Sequence, residues 1–347
     1  MSRVLLFCFV SFLISYTLTP LVSFFCRKKH LLDLPDGERK IHDRPISRLG
    51  GVAVVSSFFL SLLLAQYFLN IHLSPFFLLG LAIIFATGLL DDFFKLTPKM
   101  KLFGQMVGAL FLIYGGVVIQ FVTLPWDTLF YIGYWGIPIT FVWIISISNA
   151  MNLIDGMDGL SSGITAIAAC TLAIIALQKG RVESATLSFL LVSSVLGFLP
   201  YNLPPAKIFI GDGGALFLGT ILATISVEGA LKSATTFTLG VPILILGVPI
   251  FDTIFAIIRR KKNGIPITSP DRGHLHHRLL ERGLSQKEVV LIVYTISLSF
   301  GVSAILIDRF LANSTYSLLL FLLLFSVFWR WGKYLGVLEI SSGKKST

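Results

Sequence analysis

The chain has 347 residues, of which 55% are hydrophobic and only 13% charged, against about 25% charged in soluble domains. With a mean hydropathy of +0.85 it lacks the polar surface to cover a water-soluble globule, and 30 phenylalanines exclude a disordered chain. What remains is a polytopic membrane protein whose net charge of +10 needs an explanation.

A bilayer core takes about 20 apolar residues per helix, and continuous apolar runs favour helices over a barrel. Eleven spans are predicted, at 4–26, 49–69, 74–90, 102–122, 130–150, 160–177, 185–203, 214–231, 236–258, 289–307 and 315–332. The fold class is therefore an all-α polytopic membrane protein, one integral membrane domain over 1–347. The first run is too long for a cleaved leader. The ninth holds Pro242 and Pro249 and is expected to be broken, and 123–129 reads as part of a small hairpin. Cys8, Cys26 and Cys170 all fall in apolar runs, which gives packing residues rather than a disulfide or zinc pattern.

An odd number of spans puts the termini on opposite sides. One side receives loops 27–48, 91–101, 151–159, 204–213, 259–288 and the C-terminal tail, and with them 23 of the 28 Lys and Arg residues. Positive-inside bias makes that side cytoplasmic, with the N-terminus outside and the C-terminus inside. Chemistry is expected on that face.

The acidic residues there stand where packing does not want them. Asp91 and Asp92 close the third span at a helix C-terminus, which disfavours negative charge; the alternative is a solvated end paired with Lys95 or Lys99. Asp155 and Asp158 lie in Asn-Leu-Ile-Asp-Gly-Met-Asp-Gly, 152–159. If that stretch turns helically, Asn152, Asp155 and Asp158 share a face, and Gly156 lets a ligand approach the backbone. Asp212 sits among Gly211, Gly213 and Gly214, either a cap or a phosphate or metal site at a helix N-terminus. Asp252 lies within the ninth span, either functional or a hydrogen-bonded strut. Oxygen donors without cysteine suit Mg²⁺, or Mn²⁺, better than zinc.

The basic loops add a second half. Lys40, His42, Arg44 and Arg48 precede Leu-Gly-Gly, and Pro45 implies a shaped loop. His274, His276 and His277 fall within four positions and Arg278 follows. This is either part of a zinc site or, in company with the carboxylates, a diphosphate clamp. The basic residues lie against a membrane, so nucleic acid is not expected as a partner.

Taken together, Arg-Pro-Ile-Ser-Arg-Leu-Gly-Gly (44–51), Gly-Leu-Leu-Asp-Asp (88–92), Asn-Leu-Ile-Asp-Gly-Met-Asp-Gly-Leu (152–160), Phe-Ile-Gly-Asp-Gly-Gly (209–214), Phe-Asp-Thr (251–253) and Ser-Pro-Asp-Arg-Gly-His-Leu-His-His (269–277) resemble the polyprenyl-phosphate N-acetylhexosamine-1-phosphate transferases. The resemblance implies a Mg²⁺-dependent attack of undecaprenyl phosphate on the β-phosphorus of a UDP-N-acetylhexosamine, most simply UDP-GlcNAc, releasing UMP at the cytoplasmic face of the plasma (inner) membrane. The lipid-linked product would start a cell-envelope glycan such as teichoic acid or O-antigen lipopolysaccharide.

By the same resemblance Asp212 matches the metal ligand, with Asp92 as a second candidate, and Asp91 and Asp92 match the catalytic pair. Asn152, Asp155 and Asp158 match the nucleotide-sugar segment, Phe209 an aromatic that stacks on uracil, and His274, His276 and His277 the phosphate-handling histidines, with Arg278 beside them. His-Leu-His-His and Ile-Ser-Arg-Leu-Gly-Gly depart from the branch that transfers phospho-muramyl-pentapeptide, which favours plain UDP-N-acetylhexosamines. A homodimer is compatible with the resemblance. The rival readings are an ion-coupled transporter, which calls for midplane carboxylates, and a lipid-glycan flippase, which leaves the aspartates unexplained.

Overall fold

The computed structural model describes residues 2–29, 31–32, 45–123, 129–231, 240–266, 273–310 and 314–337. Thirteen α-helices are present among them: α1 Ser2–Lys28, α2 Gly50–Leu69, α3 Pro75–Phe94, α4 Pro98–Tyr114, α5 Gly136–Ile154, α6 Leu160–Gln178, α7 Val182–Asn202, α8 Gly211–Ser226, α9 Gly240–Ile245, α10 Gly247–Lys262, α11 Leu275–Glu281, α12 Gln286–Phe310 and α13 Ser314–Tyr334. Eight of them are long and apolar enough to cross a bilayer by themselves: α1, α2, α3, α5, α6, α7, α12 and α13. The chain is thus a predominantly helical multi-pass membrane protein.

The predicted spans meet helices throughout, with two corrections. The expected span 102–122 stops at Tyr114. Gly116 takes φ +102°, the Val117 N–H bonds back to the Leu112 carbonyl and the Gly116 N–H to that of Ile113, the pattern of a glycine-closed helix end. The expected span 130–150 begins only at Gly136, because Phe121–Thr123 (β1) and Leu129–Tyr131 (β2) pair antiparallel with Phe121 opposite Tyr131. A small hairpin therefore interrupts the otherwise all-helical chain, next to the segment where one was expected.

The loop boundaries tighten as well. Helix runs to Lys28, Phe94, Ile154 and Lys262, and α11 occupies part of 259–288. The ninth span is broken as its prolines require: α9 ends at Ile245 and α10 starts at Gly247. Pro249 lacks the N–H that would continue the ladder to Ile245.

The centre of the molecule is α8. Every one of its residues except Asp212 is buried, the mark of a helix enclosed on all sides. It is surrounded by α2, α3, α5 and α6. Its hydroxyls are satisfied locally, Thr220 donating to the Leu216 carbonyl and Ser226 to that of Ala223. Glycines let the neighbours close in: a Cβ on Gly88 of α3 would lie 2.6 Å from the Asp212 carbonyl oxygen, and one on Gly51 of α2 would lie 2.5 Å from Gly214 Cα. Small residues at helix contacts are how membrane bundles pack without a hydrophobic drive between helices. The N-terminus of α8, and Asp212 with it, is thereby fixed against the ends of α3, α4 and α5.

Candidate active site

Four side chains converge at the N-terminus of α8. Lys101, in the first turns of α4, donates from Nζ to Asp91 Oδ2 at 2.9 Å, to Asn152 Oδ1 at 2.9 Å and to Asp212 Oδ1 at 3.2 Å. Asn152 Nδ2 donates to the same Asp212 oxygen at 2.5 Å. Asp91 is held from its other side by the Leu96 N–H, which donates to Oδ1 at 2.7 Å. The expected partners Lys95 and Lys99 give way to Lys101. Thr97 and Pro98 start α4 in a capped turn, which brings Lys101 back over the end of α3, whereas Lys95 closes α3 in a left-handed conformation at φ 54°.

Lys101 and Asn152 rest on a second pair one turn away, buried Gln105 and half-buried Asn149. Gln105 Nε2 donates to Asn149 Oδ1 at 3.2 Å, and Asn149 Nδ2 donates to Gln105 Oε1 at 2.6 Å. The two amides lie at i+4 and i−3 from Lys101 and Asn152, so they share those helix faces and pin α4 to α5.

Asp92 faces a different way from Asp91. Its Oδ1 accepts the Asp212 N–H at 2.8 Å and its Oδ2 the Gly213 N–H at 3.0 Å. The N-cap residue of α8, Ile210, makes no side-chain capping bond; Asp92 caps α8 from α3 and so sets where Asp212 points. Gly211 completes the turn. Its φ of +75° lies in the left-handed region, and a Cβ there would collide with the Arg48 carbonyl, which only glycine avoids without strain. The strand-like segment beside it carries Phe209, whose N–H donates to the Ser47 carbonyl at 2.8 Å, while the Gly50 N–H donates to the Phe209 carbonyl at 2.9 Å. Arg48 and half-buried Phe209 thus sit at the rim of the α8 N-terminus. Lys40, His42 and Arg44 lie outside the described residues.

The 152–159 segment does not place its three polar residues on one face. α5 continues to Ile154, so Asn152 still projects from helix, and Asp155 is the residue that ends it. Ser161 of α6 donates its hydroxyl to Asp155 Oδ1. Burial, reinforced by the charges of Asp212 and Asp92, pushes the Asp155 carboxyl well above the ordinary carboxylate range. Asp158 turns away, its Oδ2 accepting the Ala206 N–H at 2.9 Å, and ties this loop to the one before α8.

The histidines approach from α11. His274 Nδ1 lies 2.7 Å from Asp252 Oδ2, and the Leu275 N–H donates to Asp252 Oδ1 at 2.7 Å. The intramembrane aspartate is therefore a strut that orients His274 and anchors the start of α11. A carboxylate only accepts, so His274 Nδ1 carries the proton of this bond. His276 is 2% exposed and neither ring nitrogen has a hydrogen-bond partner. A Cβ on Gly156 would lie 2.6 Å from His276 Nε2, so Gly156 is what lets the 152–159 segment meet the histidines. His277 packs against His276 with ring centroids 4.3 Å apart and planes tilted by 42°, and is partly exposed. Arg278 Nη1 donates to Glu281 Oε2 at 3.1 Å.

Burial drives the His276 pKa down to about 3, so this imidazole is neutral at working pH. The unfolded chain takes up its proton near pH 6.5 while the folded one resists, so stability is full above about pH 6.5 and falls as pH drops toward 3. The expected result is a smaller loss of melting temperature between pH 7 and pH 5 in His276→Gln than in the parent, read by thermal denaturation in detergent. An equal loss in both would show that His276 is protonated in the folded state.

Among the described residues no three His, Cys, Asp or Glu side chains gather tightly enough to form a protein-only metal cage. The oxygens of Asp91, Asn152 and Asp212 instead surround one cation, the Lys101 ammonium. That all-oxygen set, with two carboxylates and an open side, fits Mg²⁺, which takes one or two carboxylates and completes its shell with water and substrate phosphate.

A Gly-framed helix N-terminus with a Lys–Asp–Asn–Asp cluster offers the donors and charges that phosphate chemistry uses. The family model of glycosyl transferase family 4 matches residues 74–230. The chain is 41% identical over 308 residues to the Bacillus subtilis (strain 168) protein named "Probable undecaprenyl-phosphate N-acetylglucosaminyl 1-phosphate transferase", covering 88% of this chain and 86% of that one. It is 36% identical over 296 residues to the undecaprenyl-phosphate alpha-N-acetylglucosaminyl 1-phosphate transferase of Thermotoga maritima, 83% and 86% covered. It is 33% identical over 334 residues to a phospho-N-acetylmuramoyl-pentapeptide-transferase of Halalkalibacterium halodurans, 89% and 98% covered. The chain belongs to glycosyl transferase family 4.

Proposed function

We propose that the protein transfers N-acetylglucosamine-1-phosphate from UDP-GlcNAc to undecaprenyl phosphate, releasing UMP and forming the lipid-linked sugar that starts a cell-envelope glycan. The carrying observation is the convergence of Lys101 on Asp91, Asn152 and Asp212 at the N-terminus of α8; the names of the relatives supply the substrates. We read eleven crossings, taking α4, α8 and the α9–α10 pair as three beyond the eight helices long and apolar enough to cross. The positive-inside count supports a site on the cytoplasmic face of the plasma membrane. There a polyprenyl chain can stay in the bilayer while its phosphate reaches the helix ends.

The reaction asks for positioning and charge neutralisation. A bond forms between a lipid-phosphate oxygen and the β-phosphorus, and the bond from that phosphorus to the bridging oxygen breaks, with the electron pair leaving on UMP. The second pKa of a phosphate monoester is near 6, so the nucleophile is already largely dianionic and needs no strong base. Asp91 and Lys101 orient it, and Asn152 fixes the Asp212 carboxylate. Asp92 acts through the backbone it caps. His276 and His277, brought against Gly156, line the approach of the diphosphate. A Mg²⁺ ion held by Asp212, with Asp91 and Asn152 in reach, would supply neutralisation of charge on the diphosphate; Mn²⁺ suits the same donors.

The transporter reading loses its main support because Asp252, the deepest of the motif acids, is committed to His274 and the Leu275 N–H. Purified protein given undecaprenyl phosphate and a panel of UDP-sugars, with and without Mg²⁺, should release UMP from UDP-GlcNAc only with the metal. No UMP from any sugar would refute the transferase.

A further inference from the structure

A cavity of about 450 Å³ lies between α12 and α13, within the range of small-molecule sites. Its walls are two facing stripes at helical spacing, Leu291, Thr295 and Ser299 on one helix and Leu324, Val327 and Trp331 on the other. Its floor is aromatic: the rings of Phe300 and Phe328 lie 5.4 Å apart and both pack on Phe251 of α10. Both helices are long and apolar enough to cross a membrane, and the wall residues Leu291 and Val327 are 66% and 58% exposed, so in a bilayer the cavity would open sideways into lipid.

One end of the cavity is charged. Lys287 precedes Leu291 by one turn, and Arg330 follows Val327 by three residues, so both lie on the cavity side of their helices. Both are exposed. This end is on the active-site face, since Arg282 after α11 reaches the Tyr334 carbonyl and stacks over the Tyr334 ring at 4.7 Å. The nearby acids are engaged: Glu288 accepts from Ser285 and Glu281 from Arg278. Trp331 stands at the same end, where amphipathic rings mark the membrane interface.

We propose that this cavity is a binding site for one acyl chain of an anionic glycerophospholipid, with Lys287 and Arg330 on its headgroup phosphate. The occupant is not the polyprenyl substrate. Tyr294, rotated about 100° around α12 from Thr295, donates its hydroxyl to the Gly159 carbonyl at 2.5 Å. That contact puts Gly159 and its loop on a different face of α12 from the wall stripe of Leu291, Thr295 and Ser299. The inference rests on the membrane placement of α12 and α13 and is independent of the transferase reading.

The test uses the whole protein in phosphatidylcholine bilayers containing either phosphatidylglycerol or phosphatidylcholine brominated in the acyl chains, which quench tryptophan on contact. Brominated phosphatidylglycerol should quench more than brominated phosphatidylcholine at equal mole fraction and saturate earlier, with a preference of about fivefold per cation. The excess should vanish in Trp331→Phe, which assigns it to this cavity. It should fall in Lys287→Gln and in Arg330→Gln, surface changes that leave the fold intact, and in Ser299→Phe, which fills the cavity. Equal quenching by the two lipids would overturn the proposal. So would displacement of the brominated lipid by undecaprenyl phosphate at a lower mole fraction than by phosphatidylglycerol. A particle of doubled mass with Trp331 shielded from both lipids would overturn it too, by putting a second copy in the groove.

Discussion

Asp212→Asn should lower turnover by on the order of 10³-fold, the scale lost when a principal electrostatic group is taken from a phosphoryl or acyl transfer site, while the protein still folds. The reason for both halves is in the contacts. The replacement keeps the shape and keeps an oxygen that can accept from Asn152 Nδ2 and Lys101 Nζ. The cap on α8 is untouched, because Asp92 binds the backbone N–H groups of residues 212 and 213 and not the 212 side chain. What is removed is one of the two formal negative charges facing Lys101. Divalent affinity depends on that charge, so Mn²⁺ binding followed by calorimetry without substrate should weaken together with turnover. A variant with near-native UMP release and unchanged Mn²⁺ affinity would remove Asp212 from the site.

Asp92→Asn separates the two adjacent aspartates. An amide can satisfy one of the two N–H groups now held by the Asp92 carboxylate but presents its own donors to the other, so it disturbs the α8 cap where Asp212→Asn does not. The sequence treats Asp91 and Asp92 as one pair at a helix end. Consecutive residues on a helix point about 100° apart, which is why one reaches Lys101 and the other α8.

That difference marks the limit of what was legible. Hydropathy located the helices because twenty-residue apolar runs have few alternatives in a bilayer, and Pro242 and Pro249 announced the break in the ninth span. The ends were harder: a glycine closes α4 at Tyr114, and the short strands Phe121–Thr123 and Leu129–Tyr131 are apolar enough to blur into the ends of the flanking spans. The site aspartates were visible because their charge opposes their surroundings. Their partners were not. Asp252 and Asp158 turned out to be struts, and whether a buried carboxylate faces a ligand or a backbone N–H depends on contacts 22 and 48 residues away. Lys101 was missed because it counted only as one of 23 inner-face cations. The signal was available in its position, a cation in the first turns of a helix, where the macrodipole disfavours it, the same argument that singled out Asp91.

Lys101→Met is expected to give the more discriminating result, because two measurements should move in opposite directions. The ammonium sits at 2.9, 2.9 and 3.2 Å from three oxygens, which is to say at the place that suits a divalent cation. A divalent ion at that place would compete with the ammonium for Asp91, Asn152 and Asp212, and Lys101 would then have to swing toward the substrate phosphates. Removing it should lower kcat by on the order of 10²-fold, the scale lost with one charged clamp on a transferring phosphoryl group, while Mn²⁺ binds more tightly. Lys101→Arg should not restore turnover, since a planar guanidinium cannot present three donors from one compact point. A scaffold role for Lys101 predicts the other pattern. The carboxylates would then spread or protonate, and Mn²⁺ affinity would fall with kcat. Opposite signs on the two axes identify a mobile cation that holds the oxygens until metal and diphosphate replace it; parallel losses identify a fixed strut.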